Sequence, residues 1–199
     1  MAKRDNHYEA AFEDYLRQAR VPYVAVDEAK RSRLGEASLK SLDFIVSPET
    51  RTSPQEAALP LFADDDDLPH AATATWLIDI KGRRFPAGRG RQYWRNWSTR
   101  DDLVSLCRWQ QLFAPAAAAL FVFAYHVCGD RAPLPVEQLH RFRGRLYGYV
   151  GIRLADYLRW ARPISTAWDT LAMPTRAFRQ LAAPAADFFA STAAGAPAA

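Results

Sequence analysis

The sequence predicts an α/β layered domain with a central mixed sheet flanked by helices. Three observations predict it. The first is a helical apolar stripe near the N-terminus. The second is a series of short β-forming runs separated by helical or polar stretches. The third is size: 199 residues, 49% hydrophobic and 24% charged, suit one domain with a sizeable core. The organisation expected is a single domain over residues 1–181, with an acidic, proline-rich insertion or flap at 47–75. An Ala-rich, frayed tail is expected at 182–199.

Residues 6–19 form the first element. Tyr8, Ala11, Phe12, Tyr15, Leu16 and Ala19 recur at helical spacing, and Pro22 ends the run. Asn6 followed by Glu9 fits a capping box. Residues 21–26 read as a strand, and 27–40 are polar and mixed in charge. Residues 39–47 are a second strand, with Leu42, Phe44 and Val46 on one face and Asp43 on the other. The 47–75 stretch has four prolines, six acidic residues and one basic residue, including the run Asp64–Asp67. Residues 76–81 (Trp-Leu-Ile-Asp-Ile-Lys) are the best-defined strand.

Residues 82–100 carry Arg83, Arg84, Arg89, Arg91, Arg95 and Arg100 among Phe85, Tyr93, Trp94 and Trp97, and read as a loop. No acid occurs between Asp79 and Asp101. Ser98 or Thr99 caps the next helix, whose first turn holds Asp101 and Asp102 where the helix dipole favours anions. Residues 119–127 are a strand of β-formers and 142–154 a hairpin. Residues 155–161 are a short helix, 166–171 a last strand and 176–181 a helical turn. Cys107 and Cys128 sit in apolar elements and read as buried thiols. Two cysteines are too few for a disulfide framework, and no secretory leader or membrane-length apolar run is evident, so a reduced cytoplasmic setting without membrane contact is expected.

Only four of the 26 basic residues are lysines: Lys3, Lys30, Lys40 and Lys81. Each is therefore worth examining, and Lys81 lies inside an apolar strand. Asp79 and Lys81 at i and i+2 share a strand face. Two ionisable groups there are costly to desolvate unless they are paired or have a task. If the second and third strands form a hairpin, Asp43 comes beside Asp79. Two adjacent carboxylates suit a hard divalent cation. Lys81 could then hold or deprotonate a water, and Glu9 could add an oxygen. Glu28 and Lys30 repeat the Asp-x-Lys type of pattern without an apolar strand around them.

An acid on a helix, Asp43 on one strand and Asp79-Ile80-Lys81 on the next resemble the PD-(D/E)XK nuclease superfamily. The resemblance covers residues 6–127, with Leu42 where a proline often precedes the first Asp. It implies a restriction endonuclease-like fold and hydrolysis of phosphodiester bonds with Mg²⁺ or Mn²⁺. Asp43 and Asp79 would hold the metal, with the Ile80 carbonyl and Glu9 as further ligands, and Lys81 would orient the attacking water. Arg83, Arg84, Arg89, Arg91, Arg95 and Trp94 would contact nucleic acid, DNA being favoured, and a homodimer would serve to cut two strands. Residues 7–13 (His-Tyr-Glu-Ala-Ala-Phe-Glu) also resemble the HYExAFE bacterial family, which implies no activity. Gln110, on the helix after the motif, is a further polar residue to place near the site. The competing expectation is a nuclease-like module that binds nucleic acid or a protein partner without cleaving.

Overall fold

The computed structural model describes residues 6–26, 40, 42–48, 75–86, 94–129 and 136–190. The proposed 64–67 acidic run, Arg89 and Arg91, and the Glu28/Lys30 pattern lie outside the described residues. The elements are α1 (His7–Gln18), β1 (Tyr23–Ala25), β2 (Phe44–Val46), β3 (Thr75–Phe85), β4 (Ser98–Thr99), α2 (Arg100–Phe113) and β5 (Ala117–Val127). They continue with β6 (His140–Phe142), β7 (Arg145–Arg153), α3 (Leu154–Trp160), β8 (Arg162–Ser165), β9 (Thr170–Ala172), α4 (Thr175–Leu181), β10 (Ala183–Pro184) and α5 (Ala185–Phe189).

The main sheet runs β1-β2-β3-β5-β7-β10, with β6 also paired to β7. It is mixed: β3 and β5 are parallel, and the other pairings are antiparallel. The expected hairpin-like pairing of the second and third strands is present, with Phe44 opposite Ile78 and Val46 opposite Trp76. The parallel connection from β3 to β5 passes through α2, which packs on one face of the sheet. A small second sheet, β4-β9-β8, lies among the described residues.

Each face of the main sheet has its own core. One buries Leu42, Leu77, Leu103, Leu106, Phe121, Phe123 and Tyr157, bringing in α2 and α3. The other buries Phe12, Leu16, Phe44, Ile78, Ile80, Val122 and Tyr147 under α1. β5 is buried along almost its whole length because helices cover both faces, which is why it reads as continuous apolar sequence and not as alternation. α1 reaches its face through a close approach at Gly82. A Cβ there would lie 2.2 Å from Tyr8 Cδ2, so only glycine admits the Tyr8 ring.

Several sequence expectations are corrected. Residues 82–85 continue β3, so Arg83 and Arg84 belong to a strand and not to a loop. The last expected strand, at 166–171, is instead a β8–β9 hairpin with its turn at 166–169. Residues 183–189 are not a frayed tail. β10 pairs with β7, Ala185 and Phe189 are buried in the core under α1, and Trp76 Nε1 donates to the Phe188 carbonyl at 2.8 Å. Alanine richness concealed this because the anchors are only two aromatic residues. Cys128 is exposed, since it falls just beyond the end of β5.

Two stability outcomes follow. Gly82→Ala should destabilise the fold by about 1–3 kcal/mol through overpacking against Tyr8. Phe189→Ala should cost about 3 kcal/mol by leaving a cavity under α1. Urea unfolding followed by tryptophan fluorescence checks both; a Phe189→Ala protein as stable as the wild type would contradict the C-terminal anchoring.

Candidate active site

β3 is 11 residues long, whereas its neighbour β2 has three. The ladder between them reaches Phe44 and Ile78. One further step along that register puts Asp43 opposite Asp79. Asp43 continues the ladder in its own way: its backbone N–H donates to the Ile78 carbonyl at 2.9 Å, and its Oδ2 accepts from the Ile80 N–H at 2.7 Å. The carboxylate thus stands where a strand carbonyl would otherwise stand, close to the plane of the sheet. Groups from both faces can influence it there.

On the α2 face, Asp79 and Lys81 project together as the strand period requires. Lys81 Nζ lies 2.8 Å from Asp79 Oδ2 and 3.0 Å from Asp102 Oδ2. All three side chains are largely buried, at 14%, 13% and 12% exposure respectively. Asp102 is the third residue of α2. Its carboxylate also accepts from the Thr99 N–H at 3.0 Å and the Ser98 hydroxyl at 3.1 Å, in a capping box in which Thr99 Oγ1 accepts from the Asp102 N–H. Its other oxygen accepts from Lys40 Nζ at 2.9 Å. One acid therefore caps a helix and bridges two lysines.

The electrostatics follow from these contacts. Burial first, then the charges of Asp79 and Glu9, push the Asp43 carboxyl well above its usual range, against the Ile80 N–H and Lys81. Burial pushes Asp79 up to about 6 although Lys81 opposes it. Burial would lower Lys81, but Asp79 and Asp102 outweigh it, so its pKa is raised and it is a firm cation. Burial would raise Asp102, but Lys81, Lys40 and Thr99 hold it well below the usual carboxylate range. A lysine so firmly charged can donate to a water and steady negative charge. It is poorly suited to removing a proton, which narrows the role expected from sequence.

Asp43, Asp79 and Lys81 are thus brought together, and Glu9 is near enough for its charge to act on Asp43. Glu9 does not close a reciprocal capping box. Asn6 Oδ1 accepts from the Tyr8 N–H at 3.1 Å, and Asn6 Nδ2 donates to Glu9 Oε1 at 2.6 Å. Among the described residues, no group of three His, Cys, Asp or Glu side chains gathers to hold a metal. The site offers two hard carboxylates, a donor set that fits Mg²⁺, which commonly takes one or two carboxylates and keeps its waters.

Other expected contacts are reassigned. Trp94 is 7% exposed and packs against Tyr125 and Phe178, so it has no free face for a base. Arg83 is buried. Its guanidinium stacks 3.8 Å above the Trp97 ring and donates to the Gly82 and Trp97 carbonyls, which fastens the segment before α2 to β3. The sequence suggests a phosphate ligand here because burial is not visible in it. Gln110 Oε1 accepts from the Ala119 N–H at 2.8 Å and so fixes the start of β5. Arg84 and Arg95 are exposed. Sequence reasoning missed Asp102 and Lys40. The scarcity of lysine pointed to Lys40, but Asp102 read as an ordinary first-turn acid.

No family model matches the chain, and no curated protein matches it. Residues 7–13 therefore stand as a motif and not as a family assignment. Among solved structures, the chain is similar to Hjc, a Holliday junction resolvase from the archaeal hyperthermophile Archaeoglobus fulgidus. The identity is 11%, the TM-score 0.44, and the match covers 90% of this chain and 95% of that one. No helix among the described residues is long and apolar enough to cross a membrane.

The pKa values predict opposite pH effects. The Asp79 pKa is raised from its ordinary 3.8 to about 6. Its contribution to stability is therefore present below the ordinary value and lost as pH rises through about 6. Asp102 is lowered, so its contribution is present above the ordinary carboxylate range and lost on acidification. Carboxyl ¹³C NMR should show Asp79 titrating near pH 6. That midpoint should fall in Asp102→Asn, which removes a repelling charge, and rise in Lys81→Met. An Asp79 midpoint at the ordinary value would contradict the burial.

Proposed function

We propose that the protein is a Mg²⁺- or Mn²⁺-dependent nuclease that hydrolyses phosphodiester bonds of nucleic acid, DNA being favoured. The observation that carries this reading is the convergence of Asp43, Asp79 and a fully charged Lys81 at the point where β3 outruns β2. Two acids that repel each other are costly to hold together in a buried site without a cation. When bound, the metal would act as a Lewis acid on a phosphoryl oxygen and activate water.

Asp43 and Asp79 would hold that ion, with Glu9 and the Ile80 carbonyl as accessory ligands. Lys81 would donate to the attacking water and steady the charge that builds on the phosphate. Its position is fixed because Asp102, anchored by the α2 cap, holds the amine from the other side. Exposed Arg95, with Arg89 and Arg91, would take backbone phosphates, whereas Arg84 projects from the face of β3 opposite Lys81. Cutting both strands of a duplex would use two copies of the chain.

A second reading rests on the same clasp. Lys81 is already closed in by two carboxylates, an arrangement that a binding module without turnover could also keep. Such a module would bind nucleic acid in a salt-dependent way and cut nothing.

Cleavage of duplex DNA, single-stranded DNA and RNA with Mg²⁺ or Mn²⁺ separates the two. Asp79→Ala and Asp43→Asn should abolish cleavage. Lys81→Ala should reduce it by about a hundredfold or more while circular dichroism stays unchanged. Unaltered cleavage in Lys81→Ala would overturn the mechanism. Salt-sensitive binding with no cleavage of any substrate would favour the module.

A further inference from the structure

The opposite face of the sheet carries a second cluster. Arg84 on β3 is the register partner of His126 on β5, which is the partner of Tyr147 on β7. The three therefore form one row across three neighbouring strands. The His126 ring stacks on Tyr147, with centroids 5.5 Å apart and planes 27° apart. His7, at the start of α1, closes over the row. Its Nδ1 is 2.8 Å from the Tyr147 hydroxyl, and its ring is 5.9 Å from His126 and nearly perpendicular to it. Arg145 lies two residues before Tyr147, on the same face of β7. Arg84 and Arg145 are exposed, and His7 and His126 are half-buried.

Among the described residues, the charged groups that act on His126 are the Arg145 and Arg84 guanidiniums, and no acid is among them. Burial first, then these two charges, disfavour its charged form. Packed around it are Tyr8 and His7 from α1, Arg84 from β3, Arg145 and Tyr147 from β7, and Cys128, whose Sγ is 3.6 Å from His126 Nδ1. That contact engages Nδ1 of the ring. Tyr147 likewise engages Nδ1 of His7. Two guanidiniums from the strands on either side of His126 supply the charge, and neutral imidazoles can add N–H donors, a set that suits a doubly charged anion better than a singly charged one.

We propose that Arg84, Arg145, His7 and His126 form a binding site for a phosphate monoester, the terminal phosphate of a nucleic-acid strand. The strand-end assignment rests on the nuclease reading of the neighbouring site; the phosphate site itself does not. α1 links the two, since His7 enters this cluster and Glu9 acts on Asp43. An internal phosphodiester carries one charge and a terminal monoester close to two, so the cluster discriminates between them.

The test uses the full chain with chelator present, so that cleavage plays no part. Inorganic phosphate should move the His126 side-chain ¹⁵N resonances. An oligonucleotide with a terminal phosphate should bind about tenfold more tightly than the same oligonucleotide ending in hydroxyls. In the Arg84→Ala/Arg145→Ala double variant both effects should disappear. Unmoved His126 resonances would overturn the site. Equal affinity for the two oligonucleotides would overturn the strand-end assignment. A response to inorganic phosphate with no oligonucleotide binding would overturn the strand-end assignment and leave an anion site; the nuclease reading is decided separately, by cleavage with Mg²⁺ or Mn²⁺.

Discussion

The arrangement depends on a buried ammonium that has two carboxylate partners. Lys81 sits mostly out of water, where an unpaired charge would cost several kcal/mol, on the order of 3–5. Asp79 comes to it from the same strand and Asp102 from the first turn of α2. The second contact has a structural consequence. It pins the start of α2 against the middle of β3, and the β3–α2–β5 crossover carries the sheet's one parallel pairing among the described residues. The charge that would serve chemistry is thus also a joint in the fold. Asp102 is suited to the joint because capping hydrogen bonds and Lys40 already favour its ionised form.

Strand parity explains why the site and the second cluster lie where they do. Along β3, Asp79, Lys81 and Arg83 face α2, whereas Ile80, Gly82 and Arg84 face α1. The same strand therefore supplies an acid-lysine pair to one face and a basic residue to the other. Asp43 belongs to neither face fully, since its carboxylate occupies a ladder position at the end of β2 and accepts from Ile80. That placement lets Glu9 act on it from the α1 side and Asp79 from the other. Arg83, on the same face as Lys81, is spent on Trp97 and backbone carbonyls. It shapes the approach to α2 and leaves the exposed arginines to meet anions.

Much of this was legible in the sequence. The α1 stripe, the β3 run and the Thr99 cap each follow from local patterns, and the structure contains all three. Asp79 and Lys81 were legible as a pair because alternation puts i and i+2 on one strand face. Asp43 joined them because the expected pairing of the two strands sets it opposite Asp79; its own alternation did not hold, since Leu42 and Phe44 enter opposite cores. Burial was not legible. Arg83 and Trp94 look like nucleic-acid contacts in a basic, aromatic segment, yet tertiary packing takes both inside. Asp102 was hidden because its local role as a helix cap already explained it. The helix at 185–189 was hidden in alanine-rich sequence, since only packing of Phe188 and Phe189 reveals that it is anchored.

The central claim is that Asp43 and Asp79 form one cation site beside Lys81. A crystal structure of the protein grown with Mn²⁺ tests it most directly, through the anomalous signal of the ion. The account predicts a single strong peak between the Asp43 and Asp79 carboxylates, with Lys81 Nζ remaining next to it. Mn²⁺ bound elsewhere, with Asp43 and Asp79 turned away from each other, would contradict it.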